Sequence, residues 1–173
     1  MLFRSNTVIK ANIIILAGGL ASRLKKITLK KPKSLIKING KPFILRQLDF
    51  LENQGFKKII LSIGHHGDQI QKYLNKNYKK KISISYLKDK PFQLGTGGAV
   101  INALNQLGKY FFIIYGDSYL RANLKKMEST YIKKKPKILM GVYKNNNKFD
   151  KSNIIINKKK ELYYDKKNLK KNM

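Results

Sequence analysis

The sequence predicts an α/β fold with a doubly wound, mostly parallel, Rossmann-like sheet and helices on both faces. Three observations lead to this fold class. Short apolar, β-branched or aromatic runs alternate with segments of helical periodicity, glycine clusters or a Gly-Asp pair follow three of these runs, and 173 residues suffice for a buried core. Because ligands bind beyond the carboxyl ends of parallel strands, we expect these clusters to share one edge of the sheet.

The first half of the chain gives the order βαβαβ. Residues 12–16 (NIIIL) form a continuous apolar run, which is typical of a strand buried on both faces. Pro42 and Gly55 delimit a helix with apolar residues at helical spacing. The same alternation continues with a strand at 57–64, a helix at 67–78 and an alternating strand at 81–87.

The second half continues the alternation with a glycine cluster that runs into a helix ending at Gly108. The apolar positions of this helix are Val100, Ile101, Leu104 and Leu107. The elements expected after it are a strand at 110–117, a helix near 119–132, and strands at 137–143, 152–157 and 161–165.

Two domains are predicted from this pattern. The first is an α/β core at residues 1–150, and the second is the opening of a smaller, incomplete subdomain at 151–173. The Lys/Asn-rich tail of the second domain is expected to fray.

Composition excludes several classes of function. The chain has no cysteine, which rules out disulfides and thiolate chemistry, and it has no apolar run of the length of a membrane helix. We therefore expect a cytoplasmic protein without a membrane partner. A net charge of +29 is typical of nucleic-acid-binding proteins, but only four of the 38 basic residues are arginine and the lysines are dispersed. No specific nucleic-acid partner is expected.

The stretch LAGGLASRLKKITLKKPKSLI, residues 16–36, follows the first strand directly. Gly18 and Gly19 remove two side chains at the strand end, so that main-chain N–H groups can approach a phosphate or a base. Arg23 adds a planar fork of donors and Lys33 adds a compact charge. The spacing matches neither a P-loop nor a dinucleotide fingerprint. It favours a polyphosphate cradle, with a tight turn carrying solvated cations as the alternative.

The same stretch resembles the signature loop of the sugar-1-phosphate nucleotidyltransferases, G-G-x-G-T-R-L followed by P-K. The matching residues are Gly18, Gly19, Arg23, Leu24, Pro32 and Lys33. Ala21 and Ser22 depart from the pattern, because they replace its third glycine and its threonine. The segments LGTGGAV (94–100) and YGDSYL (115–120) resemble the branch with heptose- and mannose-1-phosphate guanylyltransferases. The resemblance implies a fold of the nucleotide-diphospho-sugar transferase type.

This resemblance implies a role for each matching residue. The nucleotide is expected to contact Leu16, Ala17, Gly18, Gly19, Ser22, Arg23, Lys33, Gly95, Thr96 and Gly97. The sugar phosphate is expected to contact Gly116, Asp117 and Lys166. Arg23, Lys33 and Asp117 would be catalytic, and Asp117 would bind Mg²⁺. The core at 1–150 would then bind the nucleotide, and the subdomain from 151 would bind the sugar.

Several of these residues have a second interpretation that the sequence leaves open. Thr96 and Asp117 both suit the N-cap of a following helix. Lys166 lies in a lysine-rich segment, where a chance match is common. Asp89 could accept a hydrogen bond from a purine amino group, or it could simply be a turn residue.

The combined features predict an enzyme that joins a sugar 1-phosphate to an NTP, with GTP favoured, and releases pyrophosphate. The attack on the α-phosphate would be in line and assisted by Mg²⁺. No nucleophilic side chain or general base is needed, because the attacking phosphate is already an anion. Members of the family are usually longer. A truncated module that binds nucleotide without turnover is therefore the alternative, and a basic nucleic-acid-binding protein is a further one.

Overall fold

The structure of the protein is a computed structural model, which describes residues 9–19, 31–89, 94–119, 121–144, 154–156 and 162–164. Contacts divide the chain into two compact units, Met1–Leu139 and Met140–Met173. The domain boundary predicted between residues 150 and 151 falls within the second unit and remains a prediction.

The described part of the first unit alternates strands and helices. In chain order its elements are β1 (Asn12–Leu16), a 3-10 helix (Lys33–Leu35), β2 (Lys37–Ile38), β3 (Lys41–Pro42), α1 (Phe43–Gln54), β4 (Lys58–Ile63), α2 (Gly67–Asn77), β5 (Ser83–Lys88), α3 (Gly95–Leu107), β6 (Phe111–Tyr115) and α4 (Leu124–Lys134). The short antiparallel pair β2–β3 was not predicted from the sequence.

Among the described residues, four parallel strands form the central sheet, in the order β5-β4-β1-β6. Ile14 of β1 lies between Ile60 of β4 and Ile113 of β6. The strand is therefore central, and its residues Ile13, Ile14 and Ile15 are 0% exposed. This agrees with the prediction from its continuous apolar run.

Helices cover both faces of the sheet because successive residues of β1 point to opposite sides. Ile13 and Ile15 belong to a core cluster that also contains residues of α1, α2 and α4. Ile14 belongs to a second cluster, with Ala103 and Leu107 of α3. The predicted doubly wound α/β fold is confirmed.

Local sequence signals set the ends of α1. Pro42 directly precedes the first helical residue, where its missing N–H costs no helical hydrogen bond. Gly55 ends the helix with a left-handed φ of 98°, and its N–H donates to the carbonyl of Glu52. The predicted limits of this helix are confirmed.

The buried face of α3 is formed mainly by small residues. Ile101 is 69% exposed and Leu104 is 49% exposed, whereas Ala99 and Ala103 are buried. The small side chains allow the helix to lie close to the isoleucines of β1 and β4. The largest apolar side chains of this helix therefore do not mark its buried face, although Leu107 is buried.

The capping interpretations of Thr96 and Asp117 are wrong. Helix α3 begins at Gly95 after Leu94, so Thr96 lies within its first turn. Helix α4 begins at Leu124, and its N-cap is Asn123, whose side chain accepts a hydrogen bond from the Lys126 N–H. Asp117 lies well before this helix, which also starts later than the predicted residue 119.

The strand predicted at residues 137–143 is also wrong. All seven residues are described, and they adopt neither helix nor strand. The segment contains large apolar residues, but they are not buried, since Ile138 and Tyr143 are 79% and 69% exposed. A strand needs a hydrogen-bonded neighbour as well as suitable residues, and the described part of the chain provides none for this segment.

In the second unit, the described residues form β7 (Ile154–Ile156) and β8 (Leu162–Tyr164), which pair antiparallel. Both strands lie within the runs predicted at 152–157 and 161–165. Among the described residues of the whole chain, we find no helix with the length and apolarity needed to span a membrane.

Candidate functional site

The strand order creates a crevice beside β1. Strands β4 and β5 extend the sheet on one side of β1, whereas β6 lies on the other side. The chain thus reverses its direction along the sheet between β5 and β6, and the helix in this connection, α3, lies on the face opposite α1. Open α/β sheets bind their ligands at such a reversal.

A pocket of about 230 Å³ occupies this crevice. Its described lining comes from the ends of four strands, the 3-10 helix and the first turns of α3. The lining residues are Leu16, Ala17, Gly18, Gly19, Lys33, Ser34, Ser62, Asp89, Gly95, Thr96, Ala99, Tyr115, Gly116 and Asp117.

Close backbone contacts set the shape of the pocket floor. A Cβ atom on Gly64, at the end of β4, would lie 2.7 Å from the carbonyl oxygen of Gly18. A Cβ atom on Gly116 would lie 2.9 Å from the carbonyl oxygen of Leu16, which accepts the Gly116 N–H at 2.8 Å. Only glycine fits either position without a shift of the backbone.

Helix α3 presents its N-terminus to the pocket. Gly95, its first residue, has a left-handed φ of 65°, and both Gly95 and Thr96 line the pocket wall. The first N–H groups of a helix have no partner within the helix, and its dipole favours negative charge there. This wall suits phosphate or carbonyl oxygens.

Lys33 and Asp117, which both line the pocket, form an ion pair with 2.9 Å between Nζ and Oδ2. Both side chains remain partly exposed, at 39% and 46%. Burial raises the pKa of the Asp117 carboxyl, but the hydrogen bond and the charge of Lys33 outweigh burial and place this pKa below its usual value. The pair therefore offers one anionic and one cationic group to a ligand.

Asp89, just after β5, supplies a second carboxylate to the pocket lining. Its Oδ1 accepts a hydrogen bond from the Ser62 hydroxyl at 3.4 Å, and the Leu94 backbone N–H also donates to the carboxylate. Burial raises the pKa of Asp89 above its usual value despite these two donors. Its Oδ2 lies against Gly18, since a Cβ atom there would be 2.9 Å away.

The structure brings most of the predicted site residues into this pocket. They are Leu16, Ala17, Gly18, Gly19, Lys33, Gly95, Thr96, Gly116 and Asp117. Gly97 is in the first turn of α3 but does not line the pocket formed by the described residues. Ser22, Arg23 and Lys166 lie outside the described residues.

Sequence reasoning missed four described lining residues, Ser34, Ser62, Ala99 and Tyr115, and the glycine behind them, Gly64. A signal was available for Gly64, because it follows an apolar strand just as Gly18 does. Ser62 and Tyr115 lie at or next to the last residues of their strands. Such positions reach the site whatever their residue type, so composition does not reveal them.

The residues of the pocket fit a magnesium ion that is bound together with a nucleotide. Mg²⁺ is commonly held by one or two carboxylates and by substrate phosphate oxygens, with water completing its octahedron. Asp117 offers one partly exposed carboxylate to the same pocket that the N-terminus of α3 lines. Within the described residues, no group of three or more His, Cys, Asp or Glu side chains forms a complete protein cage for a metal.

Comparisons with known proteins agree with this arrangement. The family model described as nucleotidyl transferase matches residues 12–150. The chain is 35% identical over 115 residues to a D-glycero-alpha-D-manno-heptose 1-phosphate guanylyltransferase from Campylobacter jejuni, covering 66% of this chain and 51% of that protein. It is 36% identical over 121 residues to the protein of the same name from Aneurinibacillus thermoaerophilus, covering 69% and 51%.

Among solved structures, that of HddC from Yersinia pseudotuberculosis complexed with GMP-PN has a TM-score of 0.65 and 35% sequence identity. The match covers 70% of this chain and 54% of that one. The chain thus spans about half the length of these relatives. The family model nevertheless covers most of the chain, including β1, the glycine-lined pocket and Asp117. This protein belongs to the nucleotidyl transferase family.

Proposed function

We propose that the protein binds a nucleoside triphosphate, with GTP favoured, and joins it to a sugar 1-phosphate to give an NDP-sugar and pyrophosphate. One observation carries this proposal. The bare backbone at Gly18 and Gly19, the N-terminus of α3 and the Lys33–Asp117 pair all line a single pocket. The relatives named guanylyltransferases support guanine as the base and heptose 1-phosphate as a sugar substrate.

The proposed reaction transfers a nucleotidyl group in one displacement. An oxygen of the sugar 1-phosphate forms a bond to the α-phosphorus, and the bond from that phosphorus to the bridging oxygen of pyrophosphate breaks. The nucleophile is already anionic, so no side chain has to remove a proton. The residues therefore act by position and charge.

The residues predicted for the site would have separate parts in this displacement. The main-chain N–H groups near Gly18 and at the start of α3 would hold the nucleotide. Lys33 would offset the charge that develops on the leaving pyrophosphate, together with Arg23. Mg²⁺ would screen the repulsion between the two phosphate groups when bound at Asp117. Lys166 would contact the sugar phosphate.

A second function is the binding of a nucleotide without its turnover. The pocket needs no residue after Asp117 for its described lining, so binding and turnover are separable.

A pyrophosphate-release assay separates the two functions. GTP, ATP, UTP and dTTP are each combined with heptose 1-phosphate or mannose 1-phosphate, and thermal shifts are recorded in parallel. We expect the largest release with GTP. Stabilisation by Mg²⁺ and GTP without release supports the binding module instead. If neither release nor stabilisation occurs with any nucleotide, both proposals are wrong.

Gly19→Ala tests the proposal that the loop after β1 brings main chain to the nucleotide. No atom of the described residues lies within 4 Å of a Cβ atom on Gly19, so we expect no loss of thermal stability. The added methyl group would instead meet the phosphates or base, and we expect GTP to bind about tenfold more weakly. Calorimetric titration measures the affinity, and unchanged GTP affinity would argue against contact at Gly19.

Asp89→Asn tests how the base is selected. A carboxylate can accept from both the N1–H and the amino group of guanine, whereas an amide offers a single acceptor oxygen. We expect the preference for GTP over ATP to fall by about 10- to 100-fold, since each lost discriminating pair is worth about 1–3 kcal/mol. Competition titrations of the two nucleotides measure this ratio. An unaltered ratio of GTP to ATP affinity would show that Asp89 does not select the base and is only a turn residue.

A further inference from the structure

Helix α1 contacts the segment that carries Asp117 through one stripe of side chains. Phe43, Gln47, Phe50 and Gln54 recur at helical spacing on a single face of this helix. The aromatic rings of Phe43 and Phe50 lie 6.2 and 5.8 Å from the ring of Tyr119. Gln54 Oε1 accepts the Leu124 backbone N–H at 3.0 Å.

Gln47 is the polar centre of this stripe. Its side-chain nitrogen donates two hydrogen bonds of 2.8 Å, one to the carbonyl oxygen of Tyr115 and one to that of Ser118. These two carbonyls flank Gly116 and Asp117 in the chain. These two hydrogen bonds, which we call the Gln47 clamp, therefore fix both ends of the 115–118 turn that carries Asp117.

The burial of Gln47 indicates that this position needs the two N–H donors of the Gln47 clamp. The residue is only 3% exposed, and its Oε1 has no hydrogen-bond partner among the described residues. Burial of a polar group with an unpaired oxygen is costly, and an apolar residue would fill the helix face at lower cost. The two carbonyls accept hydrogen bonds only, so a side chain that holds both must present two N–H donors.

We infer that Gln47 is a positioning residue for Asp117. It does not line the described pocket. It acts by holding the Tyr115 and Ser118 carbonyls so that the carboxylate faces Lys33 and the position proposed for Mg²⁺. Residues that orient a metal ligand typically change metal affinity about 10- to 100-fold when they are replaced. The inference rests on the proposed function, because it assigns Gln47 to the same site.

The test measures how much Mg²⁺ strengthens GTP binding. The affinity of the full chain for GTP is titrated with EDTA and with saturating Mg²⁺, for the wild type and for Gln47→Met, which keeps the length of the side chain and removes both donors. We expect Gln47→Met to bind Mg²⁺·GTP about tenfold more weakly. Its affinity for GTP in EDTA should match that of the wild type, which a general loss of structure would not allow.

Gln54→Met is the matched control. It removes a hydrogen bond from the same face of α1, but one that reaches Leu124 and not the 115–118 turn. It should leave the effect of Mg²⁺ unchanged. If Gln47→Met does not fold, Gln47→Asn takes its place with the same expectation, because its shorter amide cannot hold both carbonyls.

The outcomes separate the two claims. If the wild type binds GTP more tightly with Mg²⁺ and Gln47→Met shows the same increase, the positioning role is overturned and the proposed function stands. If Gln47→Met and Gln54→Met lose the increase equally, the role is likewise overturned. If the wild type does not bind GTP in either condition, the proposed function fails and the inference fails with it.

Discussion

Replacing Asp117 with asparagine is expected to lower the rate of pyrophosphate release by about 10²- to 10³-fold. Asparagine keeps the size of the side chain but removes the charge that pairs with Lys33 at 2.9 Å and that would attract Mg²⁺. In the same variant, Mg²⁺ should hardly increase the affinity for GTP. A coupled pyrophosphate assay measures the rate, and titrations with and without Mg²⁺ measure the affinities.

Asp49→Asn is a suitable control for this substitution. Asp49 is also paired with lysines, Lys41 and Lys80, but it lies on α1 and does not line the pocket. We expect this variant to keep the wild-type rate and response to Mg²⁺. A wild-type rate in Asp117→Asn as well would contradict the role given to Asp117.

Asp49→Asn is also expected to change how the stability of the fold depends on pH. Burial raises the pKa of the Asp49 carboxyl, but the ion pairs with Lys41 and Lys80 lower this pKa by more than burial raises it. The folded-state pKa therefore lies below its usual value. The ion pairs of Asp49 therefore stabilise the folded state fully at pH values above the unfolded-state pKa. This stabilisation disappears as pH falls through the lowered folded-state pKa. Thermal unfolding of Asp49→Asn should therefore depend less on pH in the acidic range.

Gly64→Ala is expected to damage both the fold and the site. Its methyl group would lie 2.7 Å from the Gly18 carbonyl oxygen and 3.1 Å from the Gly18 Cα, and both are backbone atoms that no side-chain rotation can move away. The ends of β1 and β4 would have to separate. We expect a loss of about 1–3 kcal/mol in the free energy of unfolding, and also weaker GTP binding. Urea denaturation and GTP titration measure the two losses.

Comparison with Gly19→Ala makes this prediction specific. The same methyl group is added one residue beyond Gly18, where the described residues leave open space. Gly19→Ala should weaken GTP binding at unchanged stability, whereas Gly64→Ala should reduce both. Wild-type stability in Gly64→Ala would show that the two strand ends do not approach as closely as described.

The fold could be predicted largely because its signals are local. The limits of α1 depend on Pro42 and Gly55, and the burial of β1 depends on three consecutive isoleucines. The strand predicted at 137–143 failed because a strand depends on a neighbour elsewhere in the chain. The buried face of α3 could not be read from its largest apolar residues, because close packing favours Ala99 and Ala103.

The candidate site could be predicted in part for the same reason. Glycines at strand ends and Asp117 after an apolar run are visible in the sequence, and the structure places them in one pocket. The contacts that organise this pocket join distant segments. Gln47 and Ser118 are separated by 71 residues in the chain, and Ser62 and Asp89 by 27. No local pattern marks such pairs.

The central claim is that one crevice, at the reversal of strand order, receives the nucleotide. Hydrogen–deuterium exchange with and without Mg²⁺ and GTP tests it most directly, because the method reports on each backbone segment. We expect slower exchange in residues 16–19, 94–97 and 115–118 and little change elsewhere in the described chain. Unchanged exchange in these three segments, with protection spread over the lysine-rich surface instead, would contradict the claim.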